Sequence, residues 1–410
     1  MTRKRKLPII LLFPVLIIVI ILGFIMFEQH QSSKVSKHDI EKVEPDKDEE
    51  AELDELVESK MSEMTLDQKI AQLLIVEAPS LTIDEQLSNR LKTTPYGGFI
   101  LMENAYGTLE QTRQFVKDLR KASSVPLIIS TDQEGGNVQR MHKITNPSAT
   151  RIPYASVLGD IGSTSLAMEV GEVVGRELSA VGINVDYAPV LDVNSNPDNP
   201  IIGKRSFSSE PKNVTRFGLA FAAGLAKNYV TPVYKHFPGH GDTTVDSHIA
   251  LPVVNKTRAE LDEVELVPFK DAIEAGAEMI MVGHIALPQI TGDNTPASLS
   301  YKITTKLLRE ELGFNGLVVT DGINMGALVK NYPDEEIYYR AVEAGADLLV
   351  LPRNPDLAIS SIKSHISEER IDESVRRILH YKYGTMQNWE LIPASNFASA
   401  ENQAIVDKAK

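Results

Sequence analysis

Ala275-Gly276-Ala277-Glu278-Met279-Ile280 and Ala344-Gly345-Ala346-Asp347-Leu348-Leu349 follow one pattern. In each, a glycine ends an amphipathic segment and a short turn leads into an apolar run. On either side of this pair, short apolar runs recur at 73–76, 98–102, 127–130, 183–189, 231–235, 279–283, 316–320 and 347–351. Continuous runs of this kind suit strands buried on both faces of a parallel sheet. Between them lie helix-like stretches such as 165–181, 210–228, 257–275 and 335–344. Eight strand-then-helix units predict an α/β protein with a (β/α)8 TIM-type barrel, a doubly wound open sheet being the alternative. No Gly-x-Gly-x-x-Gly follows the first run, which weighs against a dinucleotide-binding sheet.

The chain of 410 residues is long enough for one large barrel with additions, or for two to three domains of about 150 residues each. A composition 42% hydrophobic and 24% charged excludes wholesale disorder. The absence of cysteine excludes a disulfide scaffold, a thiolate nucleophile and Cys-ligated zinc. A net charge of −14 with no basic stripe argues against nucleic acid as a partner.

Arg3, Lys4, Arg5 and Lys6 precede an uncharged apolar stretch at 7–27. A helix of that length crosses a bilayer core of about 30 Å. The basic segment 1–6 predicts a cytoplasmic N-terminus and a single membrane pass, with the rest of the chain on the extracytoplasmic side. Secretion after signal cleavage is the alternative, but no Ala-x-Ala site follows Phe27. Residues 28–60 carry twelve acids and five bases, half of the net charge, and read as a solvated acidic linker. The barrel is expected over 61–385, with a C-terminal tail at 386–410.

Barrel enzymes place their chemistry where strands end. The third run ends in Thr131-Asp132-Gln133-Glu134-Gly135-Gly136, with Arg140 soon after. The fourth leads into Asn199-Pro200-Ile201-Ile202-Gly203-Lys204-Arg205-Ser206-Phe207, and the sixth ends at His284. The fifth ends in Lys235-His236-Phe237-Pro238-Gly239-His240-Gly241, followed by Asp246-Ser247-His248, and the seventh in Thr320-Asp321-Gly322. A single Asp at such a position often only caps the next helix. Several carboxylates converging with Lys, Arg and His on one face suit a small ligand rich in hydroxyls. His236, His240, Asp242, Asp246 and His248 could be read as a zinc cluster, but Pro238 and Gly239 forbid the helix that His-x-x-x-His needs. No metal or other cofactor is expected, and no phosphate loop of the Gly-x-x-x-x-Gly-Lys-Ser type is present.

The Lys235–Gly241 block with Asp246-Ser247-His248 resembles glycoside hydrolase family 3, in its bacterial NagZ-type β-N-acetylglucosaminidase (β-N-acetylhexosaminidase) branch. Asp132-Gln133-Glu134-Gly135-Gly136, Arg205-Ser206-Phe207 and Val318-Val319-Thr320-Asp321 support the likeness, which runs over 64–384. The resemblance implies retaining cleavage of terminal β-linked N-acetylglucosamine from cell-wall or peptidoglycan-derived glycans, with a muropeptide as one substrate. It implies Asp321 as nucleophile and His248, paired with Asp246, as acid/base. It implies Asp132, Arg140, Arg205, Lys235 and His236 as residues that bind the sugar, and His240 and Asp242 as parts of the loop's architecture. Histidine suits two-way proton transfer because it titrates near neutrality when unperturbed. The glycine-rich loop would let the dyad swing in when sugar binds. A family 3 β-glucosidase, a phosphorolytic enzyme and a membrane-tethered, inactive sugar-binding protein are the other readings. The tail, with an amphipathic stretch at 400–410, resembles the start of the second domain of longer relatives. A monomer is expected.

Overall fold

The computed structural model describes residues 47–388 and 391–410. The basic segment 1–6, the expected membrane span at 7–27 and the first part of the 28–60 stretch lie outside the described residues. Among the described residues, no helix is long and apolar enough to cross a membrane. Residues Ala51–Lys410 form one compact unit, which holds the fold described below.

Eight parallel strands follow one another around this unit: β1 (Leu74–Glu77), β2 (Gly98–Ile100), β3 (Ile128–Thr131), β4 (Val185–Asp186), β5 (Thr231–Phe237), β6 (Met279–Val282), β7 (Leu317–Thr320) and β8 (Leu349–Val350). Neighbours in sequence are neighbours in the sheet, and β8 returns to pair with β1 at Leu74↔Leu349 and Ile75↔Val350. The sequential order gives a nearly closed barrel and removes the doubly wound alternative, in which strand order reverses. Every residue of β6 and β7 is buried, as expected for strands covered on both faces.

Closure between β7 and β8 uses a side chain. The backbone bridge Val319↔Leu348 is joined by the Asp347 carboxylate, which accepts the Val318 N–H at 2.9 Å. Arg377 at 3.1 Å and Arg309 neutralise the buried Asp347. The 347–351 run, read as one strand, is therefore strand only at Leu349–Val350, because Asp347 turns its own side chain into the ladder.

The repeated glycine signal holds. Gly276 and Gly345 have φ of +82° and +118°, the left-handed conformation that ends a helix at little steric cost. The stretch 257–275 departs from the single helix expected. It is two helices, Arg258–Glu263 and Val267–Glu274, broken at Val264. Pro268 sits in the first turn of the second, where its missing N–H costs no helix bond.

The described end of the acidic stretch is helical where a linker is expected over 28–60, although most of its side chains stay exposed as expected. Lys47–Ser62 is helical, and Val57 and Met61 are buried against the barrel. Burying such side chains contributes about 1.5–3 kcal/mol each. Glu58 meets Arg376 at 2.6 Å and Asp54 meets His380 at 3.0 Å, so part of the acidity here is spent on pairing. At the other end, helix Ala400–Asp407 packs onto helix Thr164–Val181, where Asn402 donates to the buried Glu177 at 3.1 Å.

Candidate active site

The C-terminal ends of the strands surround a cavity of about 620 Å³. Asp132, Arg140, Arg205, Lys235, His236, His248 and Asp321 all line it. Asp246 is absent from the lining and stands behind His248, so seven of the eight expected site residues face one space. Among the described residues, no group of three or more His, Asp or Glu side chains could hold a metal ion.

On one wall the charges are tied together. Lys235 Nζ lies 3.0 Å from Asp132 and 2.6 Å from Glu134. Arg205 grips Glu134 through two bonds of 2.8 Å, a fork that fixes the guanidinium plane. Burial works against the Glu134 charge, but Arg205 and Lys235 outweigh it and hold the carboxyl far below the ordinary carboxylate range. Burial likewise opposes the Lys235 charge, and Glu134 and Asp132 carry its pKa upward. Breaking a buried pair on one side costs about 3–5 kcal/mol, so these groups present fixed donors and acceptors to the cavity. Arg140 approaches Asp132 at 3.7 Å, beyond hydrogen-bond length, and is half-buried on the rim.

The block 235–241 folds around Asp192, a residue that follows β4. Its carboxylate accepts the His240 N–H at 2.6 Å, the His236 N–H at 3.3 Å and His236 Nδ1 at 2.6 Å. A carboxylate only accepts, so the His236 proton sits on Nδ1 and Nε2 is turned toward Arg205, 3.5 Å away. Gly241 is required by the close approach of the segment that follows β4, since a Cβ there would lie 1.7 Å from the Val193 carbonyl. His240 is spent inside the loop, with Nδ1 on Thr243 at 2.7 Å and Nε2 on Ser247 at 3.0 Å. Burial lowers its pKa to about 4, which leaves it neutral near pH 7. Asp242 pairs with Lys256 at 3.3 Å, and Lys256 also meets Glu265 at the base of the loop.

Beyond this turn, Asp246 accepts both the backbone N–H of His248, at 2.9 Å, and its Nδ1, at 2.7 Å. The Nδ1 proton is thus fixed by Asp246, and Nε2 is the atom left for chemistry. The His248 side chain is 61% exposed, so it meets solvent until something fills the cavity. Partial burial opposes the Asp246 charge, but the bonds and charge of His248 prevail and lower its pKa.

Asp321 follows β7 and accepts the N–H of Gly322 at 2.7 Å. Burial alone would raise its pKa, but His236, His284, that N–H and Lys235 together hold it at about 2. It is an anion throughout the neutral range. His284 stands behind it, with Nε2 donating to the Gly322 carbonyl at 3.0 Å and Nδ1 on Ser298 at 2.8 Å. Burial lowers its pKa, and both nitrogens are committed, so it orients the Asp321 turn.

Three acidic residues of the site carried no role in the sequence reading: Glu134, Asp186 and Asp192. Asp192 closes an apolar run that continues past 189, and reading the fourth strand end three residues later would have found it. Asp186 has no such signal. It ends β4, accepts the Gln133 N–H at 2.9 Å, and its second oxygen has no hydrogen-bond partner among the described residues. Burial raises its pKa to about 8. The unfolded chain ionises first, near pH 4, so this group costs stability increasingly as pH rises from about 4 to about 8. Asp186→Asn keeps the acceptor and removes the titration. Its melting temperature relative to the parent should therefore climb across that pH range; a gap independent of pH would mean that Asp186 is ionised in the fold.

A family model described as the glycosyl hydrolase family 3 N-terminal domain matches residues 65–381. The β-hexosaminidase A of Pseudoalteromonas piscicida is 34% identical over 335 residues, covering 74% of this chain and 56% of its own length. A β-hexosaminidase of Neisseria meningitidis serogroup C is 32% identical over 292 residues, 70% of this chain and 79% of its own. The solved family 3 β-N-acetylglucosaminidase of Paenibacillus sp. strain FPU-7 superposes with a TM-score of 0.79 at 36% identity, covering 84% of this chain and 68% of that one. The chain thus spans little more than half the length of the Pseudoalteromonas relative.

Proposed function

Because the chain belongs to glycosyl hydrolase family 3, we propose that it is a retaining exo-β-N-acetylhexosaminidase that releases terminal N-acetylglucosamine. The observation that carries this reading is the pairing, on one cavity, of the low-pKa Asp321 carboxylate with His248, whose Nδ1 is fixed by Asp246. In the first step Asp321 attacks the anomeric carbon while His248 Nε2 gives its proton to the departing oxygen. The glycosidic C–O bond breaks and a glycosyl ester forms on Asp321. In the second step His248 Nε2 takes a proton from water, whose oxygen attacks the same carbon and frees the Asp321 carboxylate. Two inversions give net retention.

The wall formed by Asp132, Glu134, Arg205, Lys235 and His236 is rigid and rich in both donors and acceptors, which suits sugar hydroxyls and an acetamido group. Arg140 extends that surface to the rim. The apolar stretch 7–27 supports a tethered enzyme acting on cell-wall glycans at the outer face of the membrane.

A panel of aryl glycosides tests the reading. The N-acetyl-β-glucosaminide should be hydrolysed with kcat/KM at least about 10²-fold above the β-glucoside, because a site built to bond an amide is left with unpaired groups without it. Activity should be indifferent to phosphate and to exhaustive chelation. Preference for the glucoside, dependence on phosphate, or loss with EDTA and rescue by zinc would each overturn it.

A further inference from the structure

The loop that carries His248 is docked on the loop that carries Asp321. The N–H of Gly326 donates to the His248 carbonyl at 3.2 Å, and the N–H of Ala327 donates to the Ser247 carbonyl at 3.0 Å. Lys330 Nζ donates to the Ile249 carbonyl at 2.7 Å. Gly326 lies five positions after Asp321, on the same loop, and opens the short helix Gly326–Val329. A Cβ on Gly326 would lie 2.5 Å from the His248 carbonyl oxygen and 2.8 Å from that of Ile249. Both obstacles are backbone, so no side chain can turn aside to make room.

We propose that Gly326 is a positioning residue: its bare backbone, helped by Lys330, is the seat on which the loop bearing His248 rests, so that one loop sets the spacing between the nucleophile and the proton donor. The proposal rests on the assignment of His248 as acid/base. The reason for a built seat is visible in the loop itself. His248 is mostly exposed, and Val245, Ile249 and Val253 around it are exposed apolar residues at 37%, 61% and 47%. Little apolar burial holds this tip in place. At the other end the loop is pinned by Lys256, which bridges Asp242 and Glu265. Backbone bonds to 326 and 327 tie the tip to the loop that carries Asp321, from positions that do not line the cavity.

The test compares kcat/KM, which reports the first step alone, on an unactivated disaccharide, N,N′-diacetylchitobiose, and on a dinitrophenyl N-acetyl-β-glucosaminide that leaves without a proton. A misplacement of about 1 Å costs on the order of 10²-fold, so Gly326→Ala should lose about 10- to 100-fold on the disaccharide and at most about threefold on the aryl glycoside. Lys330→Met removes one exposed bond and should show the same split at about three- to tenfold, with Lys330→Arg restoring it. Lys330→Met carries the test if Gly326→Ala does not fold. His248→Ala run alongside separates the two ideas. If it shows the split and neither the Gly326 nor the Lys330 variant does, the seat is refuted and the acid/base assignment stands. If His248→Ala shows no split, the assignment itself fails, and the seat with it.

Discussion

Asp321→Ala should lower kcat/KM on the order of 10⁴–10⁶-fold, and by the same factor for good and poor leaving groups. The carboxylate makes the bond that every substrate must form, so no leaving group relieves its loss. The electrostatics add a second mark. With the Asp321 carboxyl held at about 2, the nucleophile is ionised above about pH 3, and no limb of the parent's activity profile in the neutral range belongs to it. The intact protein should be trapped as a glycosyl ester by a slow substrate, with the added mass located on the peptide containing Asp321, and the variant should acquire none. Retention of more than about a hundredth of the activity would remove Asp321 from this role, since the remaining binding groups account for far less.

His248→Ala should split by leaving group. General acid help is worth about 10²–10⁴-fold, and it is needed only where the departing oxygen is a poor leaving group. The loss of kcat/KM should therefore approach that size on a disaccharide and nearly vanish on a dinitrophenyl glycoside. Asp246→Ala should move in the same direction, because the His248 ring is held at Nδ1 by that carboxylate alone among the described residues. It also removes the partner of the imidazolium. Equal losses of the His248 variant on both substrates would send the search for the proton donor to other walls of the cavity. His284 is a poor successor, since Ser298 and Gly322 occupy both of its nitrogens.

The barrel is legible in the chain alone, because its signals are local. Apolar runs such as 279–282 need no distant partner to be read as buried strand, and Gly276 and Gly345 announce their turns by residue type alone. The strand ends then placed Asp132, Lys235, His236 and Asp321 on one face, as the barrel requires. Asp246 and His248 were legible together because the bond between them spans two residues. The rest depends on bonds between segments far apart in the chain, which no local pattern announces. Asp192 organises the turn from His236 to His240 across the gap between β4 and β5. Glu134 is held by Arg205 and Lys235 from two other units of the barrel. Asp347 completes the ladder by reaching Val318, and Gly326 meets the His248 carbonyl. A carboxylate at a strand end looks the same in sequence whether it faces solvent, a helix or two cations. Its charge and its role are fixed by which donors the closed barrel brings within about 3 Å of it.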